Sequence, residues 1–143
     1  MRGNGMKLKI KSTVALRKAH PSDAGWDIIA ADSAVVRNFT VGVPTGLYLE
    51  IPEGWCGIVK ERSGNALNKN IRIHGGVIDS EYRGEVKVLM TSGQGAQLVN
   101  KGDKIAQILF VPVPEVEWEV VDSVDSDTSR GEGGFGSSDE QTV

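Results

Sequence analysis

One cysteine, Cys56, and two histidines, His20 and His74, are spread over 143 residues. A lone thiol excludes an internal disulfide framework and suits a reducing compartment. The histidines are too far apart to supply zinc-ligand spacing with it. Long apolar runs are missing too. The stretch from Ile105 to Phe110 is interrupted by Gln107 and falls far short of a bilayer crossing. Met1 to Lys11 carries lysines but no apolar segment of signal-peptide length, so secretion is not expected. The expected location is the cytoplasm, or a host-cell interior for a phage or viral source. A net charge of -3 lacks the excess of basic residues that nonspecific nucleic-acid binding needs. A single pocket can still be locally positive. What remains is an ordinary soluble balance, 39% hydrophobic and 24% charged, sized for one domain.

A sustained 3.6-residue period is also absent, and only residues 62–70 have room for a turn or two of helix. Period two takes its place. Lys7-Leu8-Lys9-Ile10-Lys11 alternates, as do Leu47-Tyr48-Leu49-Glu50-Ile51, Glu85-Val86-Lys87-Val88 and Glu115-Val116-Glu117-Trp118-Glu119-Val120. Such runs predict strands with one face in a core. Turn chemistry falls between them, at Pro44-Thr45-Gly46, Pro52-Glu53-Gly54, Ser92-Gly93-Gln94-Gly95 and Asn100-Lys101-Gly102-Asp103. Many short strands predict an all-β barrel of jelly-roll type over residues 1–121. Composition changes near Asp122. From there to Val143 six acidic residues stand against Arg130 alone, with four glycines and Phe135 as the one aromatic. Such a segment does not order itself, so residues 122–143 read as a flexible arm.

Three stretches have side chains suited to chemistry. Arg62-Ser63-Gly64 follows a strand-like run; arginine binds phosphate bidentately, serine adds a hydroxyl, and glycine opens the backbone. In the second, His74-Gly75-Gly76-Val77-Ile78-Asp79 continues into Ser80-Glu81-Tyr82-Arg83-Gly84. Asp79 follows an apolar pair and is expected at the core's edge, where a carboxylate can be oriented as a general base; turn-capping by Asp79 and packing by Tyr82 are the bland alternatives. The third is Arg130-Gly131-Glu132-Gly133-Gly134-Phe135-Gly136-Ser137-Ser138. It can wrap phosphates through backbone N–H groups, with Phe135 stacking on a base, but it lacks the lysine of a P-loop. A Ser63, His74, Asp79 triad is disfavoured because no nucleophile elbow is present. Trp26, Trp55 and Trp118 lie in or beside strand patterns, as core or interface residues do.

Taken in order, these stretches resemble the five motifs of the trimeric dUTPase family. Asp23-Ala24-Gly25-Trp26-Asp27-Ile28 resembles the first and Arg62-Ser63-Gly64 the second. Gly76-Val77-Ile78-Asp79 with Tyr82-Arg83-Gly84 resembles the third, Gly102-Asp103-Lys104-Ile105-Ala106-Gln107-Ile108 the fourth, and the Arg130–Ser138 stretch the fifth. The resemblance implies a jelly-roll β-barrel that forms homotrimers, with each active site built from three subunits and closed by an exchanged C-terminal arm. It also implies hydrolysis of dUTP to dUMP and pyrophosphate, which keeps uracil out of DNA and supplies dUMP.

By the same resemblance, Asp79 activates water for attack on the α-phosphorus. Arg62, Ser63, Gly64 and Gln107 hold the phosphate chain, and Arg130, Gly136 and Ser137 clasp its far end. Tyr82 packs on the deoxyribose, main-chain groups from Ile73 through Gly76 to Val77 and Ile78 read uracil, and Phe135 covers the ring. Lys87 is a lesser candidate for a substrate contact. Mg2+ rides on the triphosphate with no direct protein ligand, and Asp27 acts through a metal-bound water. Some relatives carry Asn at Ile73 and commonly Gly at Asn70, while Ser138 and Asp139 replace a threonine and a glycine of the fifth motif. Two other readings share the fold. A dCTP deaminase needs an added glutamate, and Glu81 lies where dUTPases also carry a residue. A nucleotide-responsive regulatory protein would bind without turnover.

Overall fold

The structure, a computed structural model, describes residues 5–12 and 16–137. It is almost entirely antiparallel β. The strands are β1 (Lys9–Lys11), β2 (Trp26–Ile29), β3 (Ala34–Val36), β4 (Val41–Val43), β5 (Tyr48–Glu50) and β6 (Trp55–Lys60), followed by the helix α1 (Ser63–Lys69). Then come β7 (Ile71–His74), β8 (Val77–Ile78), β9 (Val88–Ser92), β10 (Gln97–Val99) and β11 (Lys104–Pro112). Four small sheets form, in the orders β1-β5, β10-β3, β2-β11-β6-β8 and β4-β9-β7. Together they enclose one apolar core, whose fully buried members include Ile28, Val36, Val43, Val88, Met90 and Ile108. Alternation produces that core directly: in β9, Val88, Met90 and Ser92 point in while Leu89 is exposed. Each buried Val or Ile contributes roughly 1.5–3 kcal/mol of transfer free energy.

The helix is short and caps with Asn70 at φ 50°, ψ 40°, in the left-handed region. Asparagine enters that region more readily than most residues, so it serves where relatives commonly place glycine.

Two of the alternating runs differ from expectation. Residues 85–87 stay outside any named strand, with Glu85 making only an isolated bridge to Tyr48. Thr45 explains why. Its buried hydroxyl donates to the Val86 carbonyl and accepts from Leu47 N–H at 3.1 Å, while the Glu85 carboxylate accepts the N–H groups of Thr45 (3.2 Å) and Gly46 (2.9 Å). Side-chain bonds thus do the work of a ladder there. Residues 115–120 likewise form no strand. Just before this stretch Val113 N–H donates to Gly54 C=O at 2.8 Å. Beyond it Trp118 is 82% exposed and Val120 94% exposed. The pattern is that of a strand, but among the described residues no edge pairs with it.

Candidate functional site

The sheet β2-β11-β6 sets the first cluster. Its register places Asp27 opposite Gln107 and Gln107 opposite Lys60, three side chains abreast where β6 ends and the chain turns into α1. Arg62 is the N-cap of α1, in extended conformation, and Ser63 and Gly64 are exposed on the first turn. Asp27 is held by two cations, with Arg62 Nε 3.6 Å from one oxygen and Lys104 Nζ 3.5 Å from the other. Exposed pairs of this kind contribute little stability, but here they fix the direction of the guanidinium. Gln107 donates from Nε2 to the Glu61 carbonyl at 2.8 Å. Gly25 makes room for that amide, since a Cβ there would lie 2.2 Å from Gln107 Oε1. The resulting cavity of about 350 Å³ is lined by Asp23, Asp27, Arg62, Ser63, Gly64 and Gln107. Its guanidinium, hydroxyl and amide suit a phosphate chain, and the carboxylates of Asp23 and Asp27 stand beside them.

A second cluster forms at the Gly75-Gly76 bend, where β7 on one sheet leads into β8 on another. A cavity of about 430 Å³ is lined by Gly76, Val77, Ile78, Asp79, Tyr82 and Lys87 among others. Gly76 sits at φ +94°, and a Cβ would meet the Val59 carbonyl oxygen at 2.7 Å. That close approach lets Val59 N–H donate to Gly76 C=O at 2.8 Å, which clamps the bend onto β6. Gly76→Ala is therefore expected to destabilise the protein by about 1–3 kcal/mol, read as a lowered denaturant midpoint with unchanged slope. Tyr82 is 45% exposed, and its hydroxyl donates to the Glu85 carbonyl at 2.7 Å, so the ring stands over the cavity in one orientation. Asp79 is exposed one residue beyond β8, and its carbonyl accepts Tyr82 N–H at 3.2 Å. Ile73 packs its side chain against the core, which leaves only its backbone toward the bend. His74 bonds Thr91 Oγ1 at 2.8 Å and has no contact with Ser63 or Asp79, so the triad reading fails on geometry.

The two clusters do not meet within the chain. Because Gly57 pairs with Ile78, Asp79 lies beside the start of β6 near Cys56, whereas Arg62 lies beyond its end. Six residues of extended chain separate those points, roughly 20 Å at 3.3 Å per residue.

The third cluster, Arg130, Phe135, Gly136 and Ser137, stands away from both. Arg130 Nε bonds Gly133 C=O, Gly131 N–H bonds Thr128 Oγ1 at 2.9 Å, and Ser137 N–H bonds Gly134 C=O at 3.1 Å, all within the arm. Phe135 is wholly exposed at φ 51°. Ser138 and Asp139 lie outside the described residues.

The groups that the sequence reading passed over are Glu61 and Glu85. Burial pushes the Glu61 carboxyl up, but hydrogen bonds from Ile73 N–H and its own N–H, with the Lys60 ammonium, outweigh this and hold it below the usual value. Its partner Ile73 lies 12 residues away, a contact that no local pattern signals. Among the described residues no group of three or more His, Cys, Asp or Glu forms a metal cage. The cradle offers two carboxylates, Asp23 and Asp27, the second already facing two cations, so its donor set fits an ion carried by a phosphate ligand and reached through water, not one held by protein alone. No helix among the described residues is long and apolar enough to cross a membrane.

Comparison with known proteins gives one answer. The family model described as dUTPase matches residues 11–139, a span that contains all three clusters. The deoxyuridine 5'-triphosphate nucleotidohydrolase of Anaplasma marginale is 44% identical over 125 residues, covering 83% of this chain and 84% of that protein. The enzyme of the same name from a Wolbachia of Culex pipiens is 44% identical over 122 residues, covering 80% of each. Among solved structures, a Staphylococcus bacteriophage 80alpha dUTPase with dUpNHpp superposes with a TM-score of 0.81 at 26% identity. It covers 92% of this chain and 98% of that one. The barrel is accordingly the dUTPase jelly roll, and the chain belongs to the dUTPase family.

Proposed function

We propose that the protein hydrolyses dUTP to dUMP and pyrophosphate, as a homotrimer whose active sites are shared between subunits. The observation that carries this reading is the division of labour along β6. One end bears an arginine, a serine hydroxyl and an amide able to hold a phosphate chain, and the other bears an exposed carboxylate beside a base-sized cavity. A triphosphate is too short to touch Arg62 and Asp79 across roughly 20 Å of one chain, so the two serve the same substrate only when they come from different copies.

The unpaired run at residues 115–120 supports such an assembly. Its exposed Val116, Trp118 and Val120 match an apolar groove on the barrel lined by Leu8, Ile10, Trp26, Trp55 and Phe110. A neighbouring copy supplies the strand's missing partner, and the arm beyond it is carried to an adjacent site. There Arg130, Gly136 and Ser137 close on the terminal phosphates and Phe135 covers the base, ordering on ligand what does not order alone.

In the reaction, the Asp79 carboxylate accepts a proton from water as its oxygen bonds to the α-phosphorus, and the bond from that phosphorus to the bridging oxygen breaks. Pyrophosphate departs with the electron pair. Arg62, Ser63 and the second N–H of Gln107 hold the phosphate oxygens and spread the developing charge, with Gly64 leaving the approach open. Lys87 adds a positive charge at the base-side cavity. Mg2+ bound to the triphosphate supplies charge neutralisation when present, and Asp27 faces that complex through water.

Tyr82 stacks on the sugar where a 2′-hydroxyl has no room. The backbone of residues 73–78 reads uracil and leaves cytosine's amino group facing another donor.

Pyrophosphate release measured with dUTP, dTTP, dCTP and UTP in Mg2+ tests this. Turnover is expected for dUTP, with dCTP disfavoured by roughly 10⁴-fold in kcat/KM. Comparable rates on UTP or dCTP would sink the sugar filter or the base slot respectively. Ammonia release from dCTP would mark a deaminase, and tight dUTP binding without turnover would mark a regulatory protein.

A further inference from the structure

Between the two half-sites of one chain lies a group with no part in the chemistry above. Glu61 Oε2 accepts the Ile73 N–H at 2.8 Å, at the strand that leads into the base-side bend. The carbonyl of the same residue accepts Gln107 Nε2 at 2.8 Å, inside the phosphate cradle, and Arg62 follows directly in sequence. Of the charges around it, Lys60 Nζ pairs with Glu61 Oε1 at 3.5 Å, while Arg72 bonds the Ala66 and Ile71 carbonyls and His74 is bonded to Thr91. The Glu61 side chain is only 17% exposed, and no substrate atom is required to reach it.

We propose that Glu61 is the positioning residue that locks the base-reading segment at residues 73–78 to the phosphate cradle, and so sets base selectivity and substrate affinity without touching the substrate. A backbone N–H held by an ionised carboxylate is a strong, directional tie. The segment is already held by β7 on β9, by β8 on β6 and by the Gly76 carbonyl on Val59. The Glu61 bond adds the tie that runs from this segment to the residue beside the cradle, and so trims the tilt of the slot. The proposal rests on the reading of residues 73–78 as the uracil slot. In a trimer with shared sites it gives Glu61 a second consequence: one carboxylate joins the base half of one active site to the phosphate half of the next.

Glu61→Ala removes the acceptor, whereas Glu61→Gln keeps an oxygen for Ile73 N–H and removes the charge. Glu61→Ala is expected to raise KM for dUTP about tenfold and to erode dUTP-over-dCTP discrimination by about the same factor, with kcat within about threefold of wild type. Glu61→Gln should restore most of both. Unchanged KM and selectivity in Glu61→Ala, or a loss confined to kcat, would overturn the assignment.

A second measurement needs no turnover and uses the intact protein. In wild type, the Ile73 amide proton resonance should move as the Glu61 carboxyl titrates, with a midpoint below the ordinary glutamate value. In Glu61→Gln this movement should vanish. An Ile73 amide that ignores pH in wild type would disprove the tie even if the alanine variant failed to fold. Wild-type protein inert toward dUTP, with the amide titration intact, would instead fault the functional reading and leave the tie standing.

Discussion

Asp79→Asn is expected to bind dUTP with near wild-type affinity and to lose roughly 10²–10⁴-fold in turnover, the span that a positioned general base contributes. Asparagine keeps the size of the side chain and an oxygen acceptor but cannot take a proton from water. The fold should be indifferent, since Asp79 is exposed and its structural bond, from Tyr82 N–H, goes to the backbone carbonyl. Single-turnover pyrophosphate release beside equilibrium binding separates the two effects. Activity within a few-fold of wild type would remove Asp79 from the chemistry.

The same variant tests the geometry of sharing. Mixed and reassembled with Arg62→Ala chains, it should recover about a quarter of the wild-type rate if the proposed closed trimer draws Asp79 from one copy and Arg62 from another. Each of those positions is intact in half the copies, and the two choices are independent. If both residues served a site within one chain, every mixed assembly would stay inactive. Recovery is thus a direct reading of the roughly 20 Å that β6 puts between them.

How much of this was legible in the sequence follows from the range of each interaction. Core positions Leu47, Leu49 and Ile51, and Val86 and Val88, show as alternation, because burial repeats every second residue and needs no knowledge of the partner. The turns at Gly54 and Gly102 and the cap at Asn70 are local in the same sense, set by backbone conformations that few residues adopt. The cradle was legible as residues but not as geometry. Nothing in Arg62-Ser63-Gly64 announces that Asp27 will stand 3.6 Å from its guanidinium; that follows from β2 and β6 both pairing with β11. Glu61 and Glu85 escaped notice for the same reason, since their partners lie 12 and about 40 residues away and the bonds run to backbone N–H groups that every residue possesses. The run at residues 115–120 is the converse. Its pattern is a strand's, but pairing is a property of the edge that receives it, and among the described residues none pairs with it.

Deleting Ser129–Val143 is expected to leave a folded barrel of unchanged assembly with activity reduced by at least about 100-fold. The barrel should not notice the loss. The arm's hydrogen bonds from Thr128 onward close within the arm, and Phe135 buries nothing. The strip at residues 115–120, which the assembly needs, is retained. On the proposed function, what disappears is the lid: Arg130 as the bidentate partner of the far phosphates, the Gly136 and Ser137 backbone around them, and the ring over the base. A site left open keeps water around the leaving group and loses the enclosure that makes each remaining charge effective. The loss should therefore fall on kcat as well as KM. Phe135→Ala in the full-length chain separates the parts. It should raise KM by several-fold, the scale of one stacking contact at about 1–3 kcal/mol, while leaving Arg130 to support most of kcat. Sedimentation equilibrium and steady-state kinetics on the same preparations read both. A truncated chain with full activity would show that the open surface of the barrel is a complete catalyst. A truncated chain that falls to monomers would move the assembly contact out of residues 115–120 and into the arm itself.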